Sequence, residues 1–246
     1  MRPVAILQHA VDVEPGFFET WLDRCAIRSR KFEPYRGEAV PADPRAFSGV
    51  CLMGGPMSAN DPLPWLEDEI RLVRAADAAG VPVIGHCLGG QLLAKAFGAP
   101  VTRHSVKEIG WGEVHVTDAA VAARWFGDEA LRSIEMFQWH GDTFALPPQA
   151  NNFLASSLCA RQAYVIERAG YAHLGMQFHC EMTPDLIRAW TDDPTWLEEV
   201  EIERRVNGGP GVQDAEQMLE RVEERCSVMN RVAARLYARW SDGLVR

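Results

Sequence analysis

The sequence lacks any apolar run approaching the roughly 20 residues that cross a bilayer as a helix. It also lacks a basic cluster or a basic stripe interleaved with aromatics. Its 34 acidic residues outnumber 25 basic ones, for a net charge of −9. A membrane-spanning helix is therefore not expected, and nucleic acid is a poor match as partner. There is no C-x-x-C pair: the six cysteines, at 25, 51, 87, 159, 180 and 226, are scattered. In a chain this long they need no disulfides, and a reducing cytoplasm is the expected setting. The opening M-R-P-V-A-I-L-Q-H enters a strand pattern directly, so no secretory signal is expected. No internal repeat, no low-complexity stretch and no nucleotide-binding loop of the G-x-x-x-x-G-K-[ST] type is found. What is present is ordinary for a globular protein: 246 residues, 47% hydrophobic and 24% charged, enough for one α/β domain with additions or two small domains.

Hydrophobic periodicity orders the elements. Strands are expected over Pro3 to His9, residues 27 to 33 and Phe47 to Met53, and a helix over Phe17 to Cys25. Tyr35 to Arg45 is punctuated by Pro and Gly and reads as loop. Asp61 is the expected cap of a helix opened by Pro62 and Pro64, buried through Leu66, Ile70 and Val73, and closed by Gly80. A buried strand from Val81 and a helix over Leu88 to Phe97 follow. This order predicts an α/β fold with a mainly parallel central sheet and helices on both faces, a flavodoxin-like open sandwich. After Ala99 short strands dominate (Glu108 to Thr117, Glu135 to Trp139, Asn152 to Ser156, Ala163 to Arg168, His173 to Phe178), interrupted by a helix over Ala119 to Phe126. They are expected to add antiparallel members. Thr183 caps a further helix with Pro184 at its first position. The tail is helical, broken at residues 207 to 211, and its last helix carries an apolar stripe of Leu219, Val222, Cys226, Met229, Ala233, Leu236 and Trp240. That stripe packs either on its own domain or on a homodimer or partner enzyme. The expected division is residues 1–192 as the main domain and 193–246 as a helical C-terminal extension.

The chemistry gathers at V-P-V-I-G-H-C-L-G-G-Q. Cys87 falls where a strand turns into a helix, the geometry of a nucleophile elbow. The helix amino terminus favours thiolate over thiol there. A buried structural cysteine is the plain alternative. A cysteine nucleophile needs a base and a group to orient it. His179 ends the strand L-G-M-Q-F-H, and Glu181 lies two residues on, on the same side of an extended segment. An oxyanion needs preorganised donors. The Leu88 amide and the G-G-P-M-S loop, with the amides of Gly54 and Gly55, are the candidates, at the strand ends where open α/β sheets place their sites. Metal ligation by Cys87, Cys180, His86 and His179 is set aside: strand neighbours point apart and no pair has zinc-site spacing. No metal and no cofactor are expected.

G-H-C-L-G-G-Q, with G-G-P-M-S before it and G-M-Q-F-H-C-E after it, resembles the class I glutamine amidotransferase family. Q-W-H-G-D-T at 138 to 143, followed by Leu146 and Pro147, resembles its GMP-synthetase-like branch. The motifs span most of residues 48 to 190. The resemblance implies a triad of Cys87, His179 and Glu181, an oxyanion hole from the Gly55 and Leu88 amides, and contact of Gln91 with bound glutamine. His140 and Asp142 are assigned to the glutamine pocket or the acceptor side, with a structural turn as the plain alternative; Gln138 and Trp139 are assigned to the same wall, and Gly54 is counted among the substrate contacts. Two positions depart from the pattern: Cys180 stands where the family usually has Pro, and His86 where an aliphatic residue is common. The implied reaction releases glutamate and ammonia from glutamine through a γ-glutamyl thioester, with a separate synthetase or acceptor enzyme as partner. A γ-glutamyl peptidase or hydrolase with the same residues is the alternative. A non-catalytic binding protein on this fold is a third.

Overall fold

A computed structural model describes residues 2–207, 209 and 211–245. Among the described residues nine strands form one sheet: β1 (Val4–Leu7), β2 (Ser29–Phe32), β3 (Gly49–Leu52), β4 (Val83–His86), β5 (Val101–Val116), β6 (Ser133–Phe144), β7 (Ala150–Ser156), β8 (Ala163–Arg168) and β9 (Tyr171–Met176). Their spatial order is β2-β1-β3-β4-β9-β8-β7-β5-β6. Pairs from β2 through β4 to β9 are parallel. From β9 outward every pair is antiparallel. The fold is thus the expected α/β sandwich, and its antiparallel half matches the parallel half in number of strand pairs.

Helices cover both faces. On one lie α1 (Gly16–Arg24), α4 (Ala119–Phe126), α5 (Pro184–Asp192), α7 (Ala215–Leu219) and α8 (Val222–Ser241); on the other lie α2 (Pro64–Ala79) and α3 (Leu88–Ala96). Helix α6 (Pro194–Asn207) follows α5. Strand β1 shows why its sequence reads as unbroken hydrophobic: Val4 and Ile6 enter one core, Ala5 and Leu7 the other, and all four are fully buried. The break in the tail falls partly outside the described residues, at Gly208 and Pro210. The stripe of α8 is covered by this chain: Val222, Cys226, Met229, Ala233, Leu236 and Trp240 join the core beside α1. Burying each of the larger apolar ones contributes about 1.5–3 kcal/mol.

Local expectations differ in several places. Asp61 does not cap α2. Leu63 occupies the cap position without a side-chain bond, Pro64 is at the first turn, and Gly80 ends the helix at φ +73°. The Asp61 carboxylate instead accepts the Ser58 N–H at 3.0 Å and shapes the G-G-P-M-S loop. Strand β6 also runs past Trp139 to Phe144, because the polar residues beyond it pair with β5 (Thr143 with Thr102, Asp142 with Arg103).

Candidate active site

The site forms at the carboxyl edge of the parallel half. Strand β4 delivers Cys87, whose φ of +48° and ψ of −107° put a non-glycine residue in a strained conformation, worth about 1–3 kcal/mol. The surrounding backbone holds it there: Cys87 N–H donates to Met176 at 2.9 Å, Gly89 N–H to Met53 at 3.0 Å, and Cys87 accepts the Gln91 N–H at 3.0 Å. Gly89 is required because a Cβ there would lie 2.1 Å from the Leu52 carbonyl oxygen. Between those anchored amides the Leu88 N–H is the first of α3 and has no acceptor within the helix.

His179 and Glu181 come from the segment after β9. They lie beyond the strand, Glu181 in a turn. The turn, not strand alternation, brings His179 Nδ1 to 2.8 Å from Glu181 Oε1. Backbone bonds fix the segment: His179 N–H to Phe137 and Phe17 N–H to Glu181, both 2.8 Å. Asn230 of α8 adds side-chain bonds to the carbonyls of Cys180 (3.1 Å) and Met182 (3.0 Å). The ring of His179 lies near enough to the Cys87 sulfur to interact with it electrostatically, and it meets the Trp190 ring edge-on at 5.3 Å. Burial opposes charging this imidazole, but the Glu181 carboxylate and Cys87 sulfur outweigh it and push its pKa up to about 10. Burial likewise opposes ionisation of Glu181, and the His179 and His86 rings overcome it, so its pKa lies below the usual carboxylate range.

A cavity of about 250 Å³ opens at the sulfur, lined among others by Gly55, Leu88, Gln91, His140 and Asp142. Gln91 donates to the Asp142 carbonyl at 3.2 Å and the Gln177 side chain at 3.4 Å, and Gln177 reaches the Cys87 sulfur at 3.7 Å. His140 lies between the Asp142 carbonyl and Glu108, each at 3.1 Å. Two residues assigned to substrate contact sit elsewhere. Gln138 does not line this cavity: its amide donates to Gln162 at 3.2 Å and it lines a separate cleft beside Trp111 and Gln213. Gly54 stands behind the site, where a Cβ would be 2.7 Å from His179 Cε1; its carbonyl bonds His9, which is held in turn by Glu69.

Sequence reasoning missed several lining residues. Trp190, Trp196 and Glu199 reach the cavity from α5 and α6, and Lys107 pairs with Glu199 at 2.6 Å. The Trp196 ring stacks on Trp190 at 5.0 Å and meets Trp139 at 5.1 Å, while Trp139 Nε1 donates to Glu199 at 2.9 Å. No local motif marks these positions. Gln177 carried a signal, its place in M-Q-F-H two residues before His179.

Such a fold and site define an open α/β sandwich with a cysteine elbow at its strand ends. More particularly, the chain belongs to the class-I glutamine amidotransferase family, whose model matches residues 18–189. It is 39% identical to a glutamine amidotransferase of Methylobacillus flagellatus, whose crystal structure superposes with a TM-score of 0.91 over 100% of this chain and 96% of that one. A Thermotoga maritima glutamine amidotransferase gives 27% identity and a TM-score of 0.81 over 98% of each chain. The glutamine amidotransferase-like protein YfeJ of Salmonella typhimurium is 31% identical over 62% of this chain and 64% of its own length. A glutamine-hydrolysing GMP synthase of Psychrobacter arcticus is 29% identical over 55% of this chain and 24% of its own length. The chain thus covers less than two thirds of these two curated relatives.

Proposed function

We propose that the protein is a glutaminase of the amidotransferase type, with Cys87 as nucleophile, His179 as acid and base, and Glu181 as the group that orients His179. The observation that carries this reading is the strained Cys87 elbow beside a His179 ring held at 2.8 Å by buried Glu181. A protonated His179 offers the sulfur a counter-ion. The thiolate attacks the side-chain amide carbon of glutamine, and the oxyanion lodges at the Gly55 and Leu88 amides. His179 gives its proton to departing ammonia, leaving a γ-glutamyl thioester on Cys87. His179 then takes a proton from water, which attacks the thioester and releases glutamate and the free thiol. Gln91 and His140 contact the substrate from the cavity wall. Neither a metal nor a cofactor enters these steps.

Ammonia passes to a separate synthetase or acceptor enzyme, as the GMP synthase relatives suggest by analogy. The six unpaired thiols suit a reducing, cytoplasmic setting; among the described residues no helix is long and apolar enough to cross a membrane. A second reading, hydrolysis of larger γ-glutamyl amides or peptides, is favoured by one observation. The wall built by Trp139, Trp190 and Trp196 offers apolar surface beyond what ammonia needs as leaving group. Measuring release from glutamine and from γ-glutamyl dipeptides, wild type against Cys87→Ser, tests both. Turnover of glutamine supports the first, and turnover of dipeptides alone the second. Equal release by Cys87→Ser would remove both.

A further inference from the structure

The two residues at which this chain departs from its family's pattern, His86 and Cys180, converge. His86 ends β4; Cys180 and Glu181 lie in the turn after β9. One ligand atom from each of the three side chains falls within 4.8 Å of the others, and all three residues are at most 1% exposed. The expectation that neighbours such as Cys180 and Glu181 point apart holds for strands and not for this turn. A fourth polar atom arrives from the tail: the Tyr237 hydroxyl of α8 lies 3.1 Å from His86 Nε2 and 3.3 Å from Cys180 Sγ.

The donors and acceptors at this point do not balance. Glu181 Oε1 serves His179, but Glu181 Oε2 is buried and has no hydrogen-bond partner, with His86 Nε2 at 4.0 Å. The other ring nitrogen of His86, Nδ1, lies 3.8 Å from the Cys51 sulfur. A neutral imidazole has one N–H, and the tautomer that carries it on Nδ1 presents Nε2 as a lone pair. In that tautomer the spot is faced by a carboxylate oxygen, an imidazole nitrogen and a sulfur, and the Tyr237 hydroxyl reaches His86 Nε2 and Cys180 Sγ but does not bond Glu181 Oε2. A buried carboxylate oxygen left bare costs on the order of 1–3 kcal/mol or more. A cation supplies what is missing.

We propose that His86 Nε2, Cys180 Sγ and Glu181 Oε2 form a binding site for a zinc-class divalent cation, with the Tyr237 hydroxyl beside the fourth position. The mixed sulfur, nitrogen and carboxylate set suits zinc over magnesium or calcium, which take oxygen. Closing the ligands to the roughly 2.0–2.3 Å bonds of zinc requires the three atoms to draw in toward a common centre. On binding, the Cys180 S–H bond is replaced by a sulfur–metal bond and the proton leaves to solvent; no electron is transferred. Glu181 can keep Oε1 on His179 while Oε2 holds the ion. The ion then draws negative charge away from the His179 side and slows turnover. This last consequence rests on the proposed roles of Cys87, His179 and Glu181; the binding itself does not.

Cobalt(II) reports on the site by its sulfur-to-metal charge-transfer absorption. The full-length, reduced Cys87→Ala protein, which removes the other thiol near His179, is titrated with cobalt(II) without oxygen. One ion per chain with this absorption is expected, and its loss in Cys87→Ala/Cys180→Ser and in Cys87→Ala/His86→Phe. Circular dichroism checks each fold, and because the two variants lie on different elements, one misfolded variant does not decide the outcome. No absorption in the parent, or absorption retained in a folded double variant, overturns the site. Separately, zinc is added to wild type and Cys180→Ser, each compared with its own metal-free rate. Weaker inhibition of Cys180→Ser supports the link to turnover; equal inhibition places zinc at Cys87 and overturns that link.

Discussion

Gly54→Ala is the sharpest test of whether the placement of His179 controls reactivity. Gly54 is absent from the glycines with positive φ, so alanine is tolerated by the backbone and the effect is steric. The new methyl would lie 2.7 Å from His179 Cε1 and 3.4 Å from Val13 Cγ1. Ordinary contact begins near 3.4 Å, so ring and loop must part by about 0.7 Å. The ring has little room: Glu181 holds it at 2.8 Å and Trp190 sits at its edge. Overpacking of this kind costs about 1–3 kcal/mol of stability. A misplacement approaching 1 Å in a reacting constellation lowers rates by about 10- to 100-fold. Thermal denaturation reads the first effect. The second is read by kcat/KM for ammonia release and by the rate of Cys87 alkylation with an electrophilic glutamine analogue. A folded variant alkylated within about twofold of the wild-type rate would refute the steric argument.

Other consequences are equally measurable. Asn230→Ala removes both bonds that α8 makes to the turn carrying Glu181, leaving the Cys180 and Met182 carbonyls short of a donor; a loss of about 1–3 kcal/mol in urea denaturation with slower turnover is expected, and an unchanged midpoint would show that the tail does not hold the turn. Trp196→Ala opens the aromatic wall, so KM is expected to rise more for γ-glutamyl amides with large leaving groups than for glutamine, with kcat little changed; an equal effect on both would separate the wall from leaving-group binding. His173 is held neutral, burial being the main cause: Nδ1 accepts the Val83 N–H and Nε2–H donates to Asp77, each at 3.0 Å. Its folded pKa is lowered, so on acidification the unfolded chain takes the proton first. Stability then falls from about pH 6.5 downward by at most about 1.4 kcal/mol per pH unit. His173→Asn should flatten that slope between about pH 6.5 and 5 in urea midpoints, and an unaltered slope would count against a neutral His173.

What could be read from the sequence was local. The Cys87 elbow, the Gly80 stop, the Thr183 cap and the pairing of His179 with Glu181 depend on residues a few positions apart. So do the strand pattern of β1 and the parallel half it begins. What the sequence hid depends on distant pieces meeting. Nothing near Asn230 or Tyr237 announces that α8 supports the turn after β9. Nothing near Trp196 and Glu199 marks them as cavity wall. A shared motif groups Gln138 with Trp139, yet Gln138 turns to the distant Gln162 and of the two only Trp139 reaches the cavity. Cys180 and Glu181 illustrate the same limit: whether neighbours diverge or converge depends on a turn that single-residue preferences do not specify.

The account stands on Cys87 as the residue that becomes acylated. Mass spectrometry of the intact protein, mixed with glutamine or a γ-glutamyl compound and quenched in acid, measures this directly. A single γ-glutamyl adduct mapping to Cys87, absent from Cys87→Ala, is the predicted result. An adduct that persists in Cys87→Ala, or turnover of glutamine by that variant at the wild-type rate, would contradict it.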